Sequence, residues 1–245
     1  SAFRGPELRT ELRLRDFSIN AMACSLSDLF SESPVVVDPV GGLKDLAGRR
    51  IRAASEFAFR DDPLRCLRAY RFAAELQFDI ETETRSWIPA SARLLSGVSP
   101  ERIHEELETL LSTKRASRWL TELYEAELLQ AILPELSEKW TKEGGTFPVS
   151  ANLERILDSS ESGAPINPEH HGGLSREAGS LRWLLRLASS IAISDQIGGT
   201  YKKLVSAVSG ARLRLSNRET RYLLTVLETS QQVLSCAAQT TVADD

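Results

Sequence analysis

The stretch Asp61-Asp62-Pro63-Leu64-Arg65-Cys66-Leu67-Arg68-Ala69-Tyr70-Arg71-Phe72 decides how this chain is read. Pro63 suits the first position of a helix, and Asp62 before it is a favoured N-cap, so a helix is predicted over about 62–77. Its arginines recur at every third position, each turned back by about 60° because a helix has about 3.6 residues per turn. They trace a slow spiral, which reads either as a solvated helix face or as donors for something hydrogen-bonding and anionic. A nucleotide has both properties. An Asp and an Arg can offer acceptor and donors to a base edge, while further guanidiniums face phosphate oxygens.

Outward from that helix, composition narrows the classes. The chain has 245 residues, 42% of them hydrophobic and 26% charged, which is enough for a sizeable core and points to a soluble globular protein of more than one unit. A formal net charge of -4 argues against binding nucleic acid through bulk charge, so any such contact must come from local arginine clusters. No apolar run approaches the roughly 18 residues that cross a bilayer, and Ser1 to Pro6 lacks a signal-peptide layout. Cys24, Cys66 and Cys236 are odd in number and widely spaced, so free thiols in a reducing compartment are expected, either the cytoplasm or an organelle interior. The chain begins at Ser1, and Arg4, Glu7, Arg9, Glu11, Arg13 and Arg15 form a charged lead-in with no preceding element to pack on, so it is read as a fragment.

Strand signals are confined to residues 17–54: an alternating Phe17 to Ala23, a short apolar Val35 to Val37, and Arg49 to Ala53. Between them lie a turn at Asp38-Pro39-Val40-Gly41-Gly42 and one helical turn from Leu43 to Leu46. So small a β piece reads as the tail end of a larger α/β unit. Beyond residue 55 the pattern is helical, with helices predicted at about 62–77, 81–93, 100–112, 115–126 and 127–133. The Ser99-Pro100-Glu101 start is the clearest N-terminal signal among them. A turn-rich stretch from Glu143 to Gly173 follows, with a short helix around Leu153 to Leu157, and then helices near 181–191, 200–209 and 217–236. The fold class is therefore α+β and mostly α-helical.

Taken in order, four segments are more specific than any one of them. They are Leu14-Arg15-Asp16-Phe17-Ser18-Ile19-Asn20-Ala21-Met22-Ala23, Asp38 to Leu46, Asp61 to Arg71, and Val98-Ser99-Pro100-Glu101-Arg102-Ile103-His104-Glu105-Glu106-Leu107. Their succession resembles the class II tRNA nucleotidyltransferases, the CCA-adding enzymes, together with the related bacterial poly(A) polymerases. The resemblance runs from residue 1 to about 135. It implies a residual C-terminal part of a polymerase-β-like nucleotidyltransferase head at residues 1–55. A helical, RNA-binding neck with a nucleotide-template helix would follow at 56–140, and a helical body or tail at 141–245.

The same resemblance implies roles. Arg15 and Asp16 match a motif that binds the sugar and triphosphate of the incoming nucleotide. Asp38 to Gly42 match a hinge turn, and Ser99 to Glu106 match a motif that braces the neck helices. Asp62 and Arg65 match the pair that selects CTP or ATP by imitating a base pair, with Arg68 and Arg71 as further nucleotide contacts. A protein carboxylate and guanidinium suit a cytosine edge in one arrangement and an adenine edge in another. The chain departs from the family at Leu14, where an arginine is usual, with Arg13 one position earlier, and at Asp61, where Glu is frequent.

The expected activity is therefore addition of C and A to the tRNA 3′ end from CTP and ATP, with poly(A) addition or partial CC- or A-addition as the alternatives. A non-catalytic helical RNA-binding module is the alternative of another class. The family's head also carries a Gly-Ser loop and an Asp-x-Asp pair for Mg²⁺. No Asp-x-Asp occurs in this sequence, so this chain alone is expected to be inactive, with no catalytic residue and no metal ligand assigned. Nor is there a His-Asp dipeptide of the kind that marks an appended phosphohydrolase domain, and His170-His171 is read as surface. Lys114, Arg115 and Arg118 cluster near a helix start. Together with Lys202, Lys203, Arg212, Arg214, Arg218 and Arg221 they are candidate contacts to the tRNA backbone, or else solvated helix faces.

Overall fold

The computed structural model describes residues 6–134, 137–138, 141, 184–185, 187–188 and 205–242, with side chains described only as far as Thr229. The readings made above for the segment around Leu153 to Leu157, for His170-His171, for Lys202 and Lys203 and for the Cys236 side chain lie outside the described residues. Packing divides the chain into two units, Ser1–Val98 and Ser99–Asp245.

In the first unit, helix α1 (Pro6–Arg13) buries Leu12 and leads into Phe17, a fully buried ring. Phe17 forms a single antiparallel bridge with Ala53. The alternating strand expected over 17–23 does not form. Ser18–Asn20 is a turn of 3₁₀ helix, closed by Asn20 N donating to Phe17 O at 2.9 Å and Ala21 N to Ser18 O at 3.0 Å. Two side chains favour the turn over a ladder: Ser18 Oγ donates to Asp45 at 2.7 Å and Asn20 Nδ2 to Asp16 at 3.2 Å. Strand pairing resumes only at β1 (Ala23–Cys24), which runs antiparallel to β2 (Val36–Val37) with Ala23 opposite Val37, while α2 (Leu26–Leu29) fills the connection.

The expected turn at Asp38 to Gly42 is built on one carboxylate. Asp38 accepts from Gly41 N, Gly42 N and Leu43 N at 2.8, 2.7 and 3.0 Å, capping α3 (Gly42–Ala47). Gly41 sits at φ 83°, and a Cβ on Gly42 would lie 2.1 Å from Ser18 O, so both glycines are required by geometry. Burial opposes ionisation of Asp38, but the backbone N–H groups of Leu43, Gly42, Gly41 and Val40 outweigh it and hold its carboxyl below the ordinary range. From α3, Asp45 reaches back into the unit. It accepts from Ser18 and from Arg52 Nε at 2.8 Å, and Arg52 also bonds Val40 O.

β3 (Arg50–Ile51) pairs in parallel with β4 (Asp79–Ile80), Ile51 opposite Ile80. Parallel strands cannot be joined by a tight turn and need a crossover of about a dozen residues or more. The crossover here holds α4 (Ala58–Asp61) and α5 (Arg65–Leu76), and α5 packs on both strands. Cys66, Leu67, Ala69, Tyr70, Ala73 and Ala74 form its buried side. Gln77 ends it at φ 56°, and α6 (Thr82–Ala92) follows β4, capped by Glu81 accepting from Thr84 N at 2.7 Å. The edge-to-face contact of Phe17 and Phe72, centroids 5.6 Å apart, ties α5 to the Phe17 segment.

The second unit is helical among its described residues. Ser99 and Pro100 open α7 (Pro100–Ser112) as read from sequence, and α8 (Ala116–Glu125) and α9 (Leu128–Ile132) follow. Ile103, Leu107, Leu110, Trp119, Leu120, Leu123, Leu128 and Leu129 are buried. Farther on, a single π-turn (Val208–Arg212) precedes α10 (Asn217–Val242). A reciprocal capping box opens α10: Ser216 N donates to Glu219 Oε2 at 2.7 Å and Glu219 N to Ser216 Oγ at 3.2 Å. Among the described residues, no helix is long and apolar enough to cross a membrane.

Candidate functional site

The start of α5 shows why Asp62 and Pro63 stand where they do. Asp62 is extended at φ -144°, its Oδ1 accepts from Leu64 N at 3.2 Å, and its carbonyl accepts from Arg65 N at 3.0 Å. It therefore closes the turn that leads into α5, whose first residue is Arg65 and whose N-cap position is Leu64, two residues later than the sequence suggests. With one side of α5 committed to the core, Arg65, Arg68, Arg71, Phe72 and Glu75 share the remaining arc of about 120°. The arginine spiral coincides with that arc, so the three guanidiniums form one stripe instead of being scattered around the helix.

Each guanidinium is held. Arg65 bridges two main-chain carbonyls, Nη2 to Leu14 O at 3.0 Å and Nη1 to Ala58 O at 3.3 Å. Arg68 donates to Asp16 Oδ2 from Nε at 3.0 Å and from Nη2 at 2.6 Å. Arg71 pairs with Glu75 one turn on at 2.5 Å and lies over the Phe72 ring, 4.0 Å from its centroid. The Leu14 position that departs from the family pattern thus contributes its backbone to Arg65, while its side chain is exposed.

Asp16 is the deepest charged group of the set, 8% exposed. Burial pushes its pKa up, but hydrogen bonds from Arg68, Phe17 N and Asn20, with the Arg68 charge, outweigh burial and hold the carboxyl below its ordinary value of 3.8. Arg15 points elsewhere: its exposed side chain lies 3.6 Å from Glu11 within the same helical lead-in. The structure thus joins Asp16 to Arg68 by direct bonds, ties Arg65 of the same helix to the Leu14 and Ala58 carbonyls, places Arg71 farther along α5 and Asp62 just before it, and leaves Arg15 exposed against Glu11. Behind the stripe, Cys66 is buried and its thiol is pushed up to about 12, mainly by burial, which makes it inert.

In the second unit the candidate RNA contacts Lys114, Arg115, Arg118 and Arg214 are exposed. Lys114 and Arg115 lie in the turn before α8, with Arg115 at φ 56°, and Arg118 pairs with Glu122 at 2.8 Å while stacking 4.7 Å from the Trp119 centroid. Arg212 ends the π-turn, half-buried, and Arg214 donates to Glu101 at 2.6 Å. Glu101 belongs to the bracing segment read from the sequence. So does His104, whose Nε2 lies 3.4 Å from Glu219 of the capping box, giving α7 two polar contacts with residues 214–219. Glu108 beside them has its pKa raised by burial, eased by His104 and reinforced by Glu219 and Glu105. Sequence reading missed these pairings, although the Ser216-Asn217-Arg218-Glu219 pattern is a legible capping box.

Among the described residues, no group of three or more His, Cys, Asp or Glu side chains is placed to hold a metal ion. The described residues therefore do not supply the Mg²⁺ site that the resemblance implies.

Residues 3–52 match the family described as the poly A polymerase head domain, and residues 77–139 match the probable RNA and SrmB-binding site of polymerase A. A CC-adding tRNA nucleotidyltransferase of Geobacter sulfurreducens is 44% identical over 129 residues, 53% of this chain and 29% of that protein. Poly(A) polymerase I of Escherichia coli O6:H1 is 35% identical over 196 residues, 79% of this chain and 40% of that protein. The chain therefore spans well under half the length of these relatives. A solved tRNA-processing enzyme with CTP shares the fold at a TM-score of 0.66 and 22% identity, covering 95% of this chain and 58% of that one.

Proposed function

Because the chain belongs to the family of tRNA nucleotidyltransferases and bacterial poly(A) polymerases, we propose that it carries the nucleotide-selecting helix and RNA-binding helices of an enzyme that adds C and A to tRNA 3′ ends. The observation that supports this reading most is the stripe on α5. Its guanidiniums are ordered before any ligand arrives, and preorganised donors lower the cost of binding.

In this reading Asp62 and Arg65 face the base, the carboxylate accepting from the exocyclic amino group that cytosine and adenine share and the guanidinium donating to a ring acceptor. Uracil and guanine place a carbonyl where that amino group would be, which leaves the carboxylate facing an acceptor. Arg68 and Arg71 face ribose or phosphate oxygens, and Arg15 approaches the triphosphate from the surface. Lys114, Arg115, Arg118, Arg212 and Arg214 contact the RNA backbone. The metal-dependent transfer step is assigned to no residue of this chain.

The test is a titration of CTP, ATP, GTP and UTP into the chain. CTP and ATP are expected to bind in preference to the other two. Arg65→Ala is expected to erase that preference while leaving affinity for a tRNA lacking its CCA end within about two-fold, a difference well under 1 kcal/mol. Equal binding of all four nucleotides, or equal damage to nucleotide and tRNA binding, would overturn the reading. A second reading, poly(A) addition, is favoured by the longer match to poly(A) polymerase I, 196 residues against 129. It predicts selective binding of ATP over CTP.

A further inference from the structure

Asp16 was expected to touch the nucleotide sugar and triphosphate. An ionised carboxylate has about four acceptor positions, and here all four are taken by the protein. Oδ1 accepts from Phe17 N at 2.8 Å and Asn20 Nδ2 at 3.2 Å, and Oδ2 accepts from Arg68 Nε at 3.0 Å and Nη2 at 2.6 Å. Its main-chain carbonyl is engaged as well, by Ala54 N at 3.0 Å. With the residue 8% exposed, a sugar hydroxyl could reach the carboxylate only by displacing one of these donors. Arg68 differs: its side chain keeps 31% of its surface exposed and lies in the open stripe of α5.

We infer that Asp16 is a positioning residue, which orients the Arg68 guanidinium for the nucleotide and does not itself contact it. A free arginine side chain samples many rotamers, and fixing one of them in advance removes that ordering cost from binding. Two donors on one carboxylate oxygen fix both the direction and the plane of the guanidinium, which a lysine could not reproduce. The inference rests on the nucleotide-binding reading of α5.

The deciding experiment compares CTP with 2′-deoxy-CTP in the 245-residue chain and in D16N, R68A and the double variant. D16N is expected to weaken both ligands by the same factor, about ten-fold, and to have no further effect once Arg68 is absent. A loss confined to CTP would mean that Asp16 bonds the ribose hydroxyl, and a full loss persisting in the R68A background would mean that it acts without Arg68. Either result overturns the inference. Should D16N fail to fold, R68K gives the same reading: the CTP to 2′-deoxy-CTP ratio stays at the wild-type value, whereas a raised ratio, as a carboxylate released toward the ribose would give, overturns it. If the wild-type chain binds neither CTP nor ATP, the nucleotide reading itself fails. NMR exchange at Arg68 Nε–H then judges the clamp separately, since protection present in wild type and lost in D16N supports it, and no protection in either overturns it.

Discussion

Arg65 and Arg68 of the first unit and Arg118 and Arg214 of the second are held in opposite ways. In the first, Arg68 is anchored on a buried carboxylate 52 positions away in sequence, and Arg65 on a carbonyl 51 positions away. In the second, Arg118 pairs one turn along its own helix with Glu122, and Arg214 meets Glu101 with side chains 64% and 51% exposed. Anchoring by partners distant in sequence fixes a guanidinium in direction and suits recognition of a shaped ligand. Exposed pairs exchange readily with solvent and with any passing phosphate, which suits contact with a polyanion whose sequence is not read.

The contrast is broken most directly by truncation. Arg68→Ala should lower the unfolding free energy by about 2–3 kcal/mol, because it strands a buried carboxylate. Arg214→Ala should leave the urea midpoint in place. Comparable losses in both would erase the distinction.

Acid sharpens it next. Asp16 has a pKa depressed below 3.8 in the folded state, so it adds stability above that value and withdraws it as pH falls through the folded pKa. Asp16→Asn should therefore flatten the acid limb of the stability curve. Glu101 is also lowered, by its own backbone hydrogen bond and, against slight desolvation, by Arg214, but it lies at the surface. In about 0.5 M salt the effect of Glu101→Gln should vanish, because exposed charges are screened within a few ångströms, while that of Asp16→Asn persists.

The smallest expected effect concerns salt. Reversing charge at Arg212 and Arg214 should reduce the slope of log tRNA affinity against log salt by about 1–2, with folding and CTP binding unchanged. An unchanged slope would return these residues to the solvated-face reading.

The helices were legible because their signals are local. Ser99-Pro100 marks a start that the structure keeps, Asp62-Pro63 marks one that it shifts to Arg65, and the apolar spacing of Cys66, Leu67, Tyr70 and Ala74 gives the buried side of α5. The strand read over 17–23 failed because alternation competes with side-chain bonds that favour a turn, here a local one from Asn20 to Asp16 and a distant one from Ser18 to Asp45. β4 was invisible because two residues between helices carry no periodicity, and its partner lies 29 positions back at Arg50 and Ile51. The residues of the candidate site were legible from the order of their motifs, whereas the bond between Asp16 and Arg68 was not, since nothing in either segment encodes the other's distance.

The parallel pairing of β3 with β4 has a bearing on when the site exists at all. The crossover helix that carries Arg68 to Asp16 has both of its strands to lie on only after the chain has been made as far as Ile80. Contacts of such long sequence separation form slowly relative to a single helix. A synthetic peptide of α5 would keep its arginines and lose their directions. On the ribosome, the nascent chain would carry the arginines of the stripe well before it had both strands to hold their helix in place.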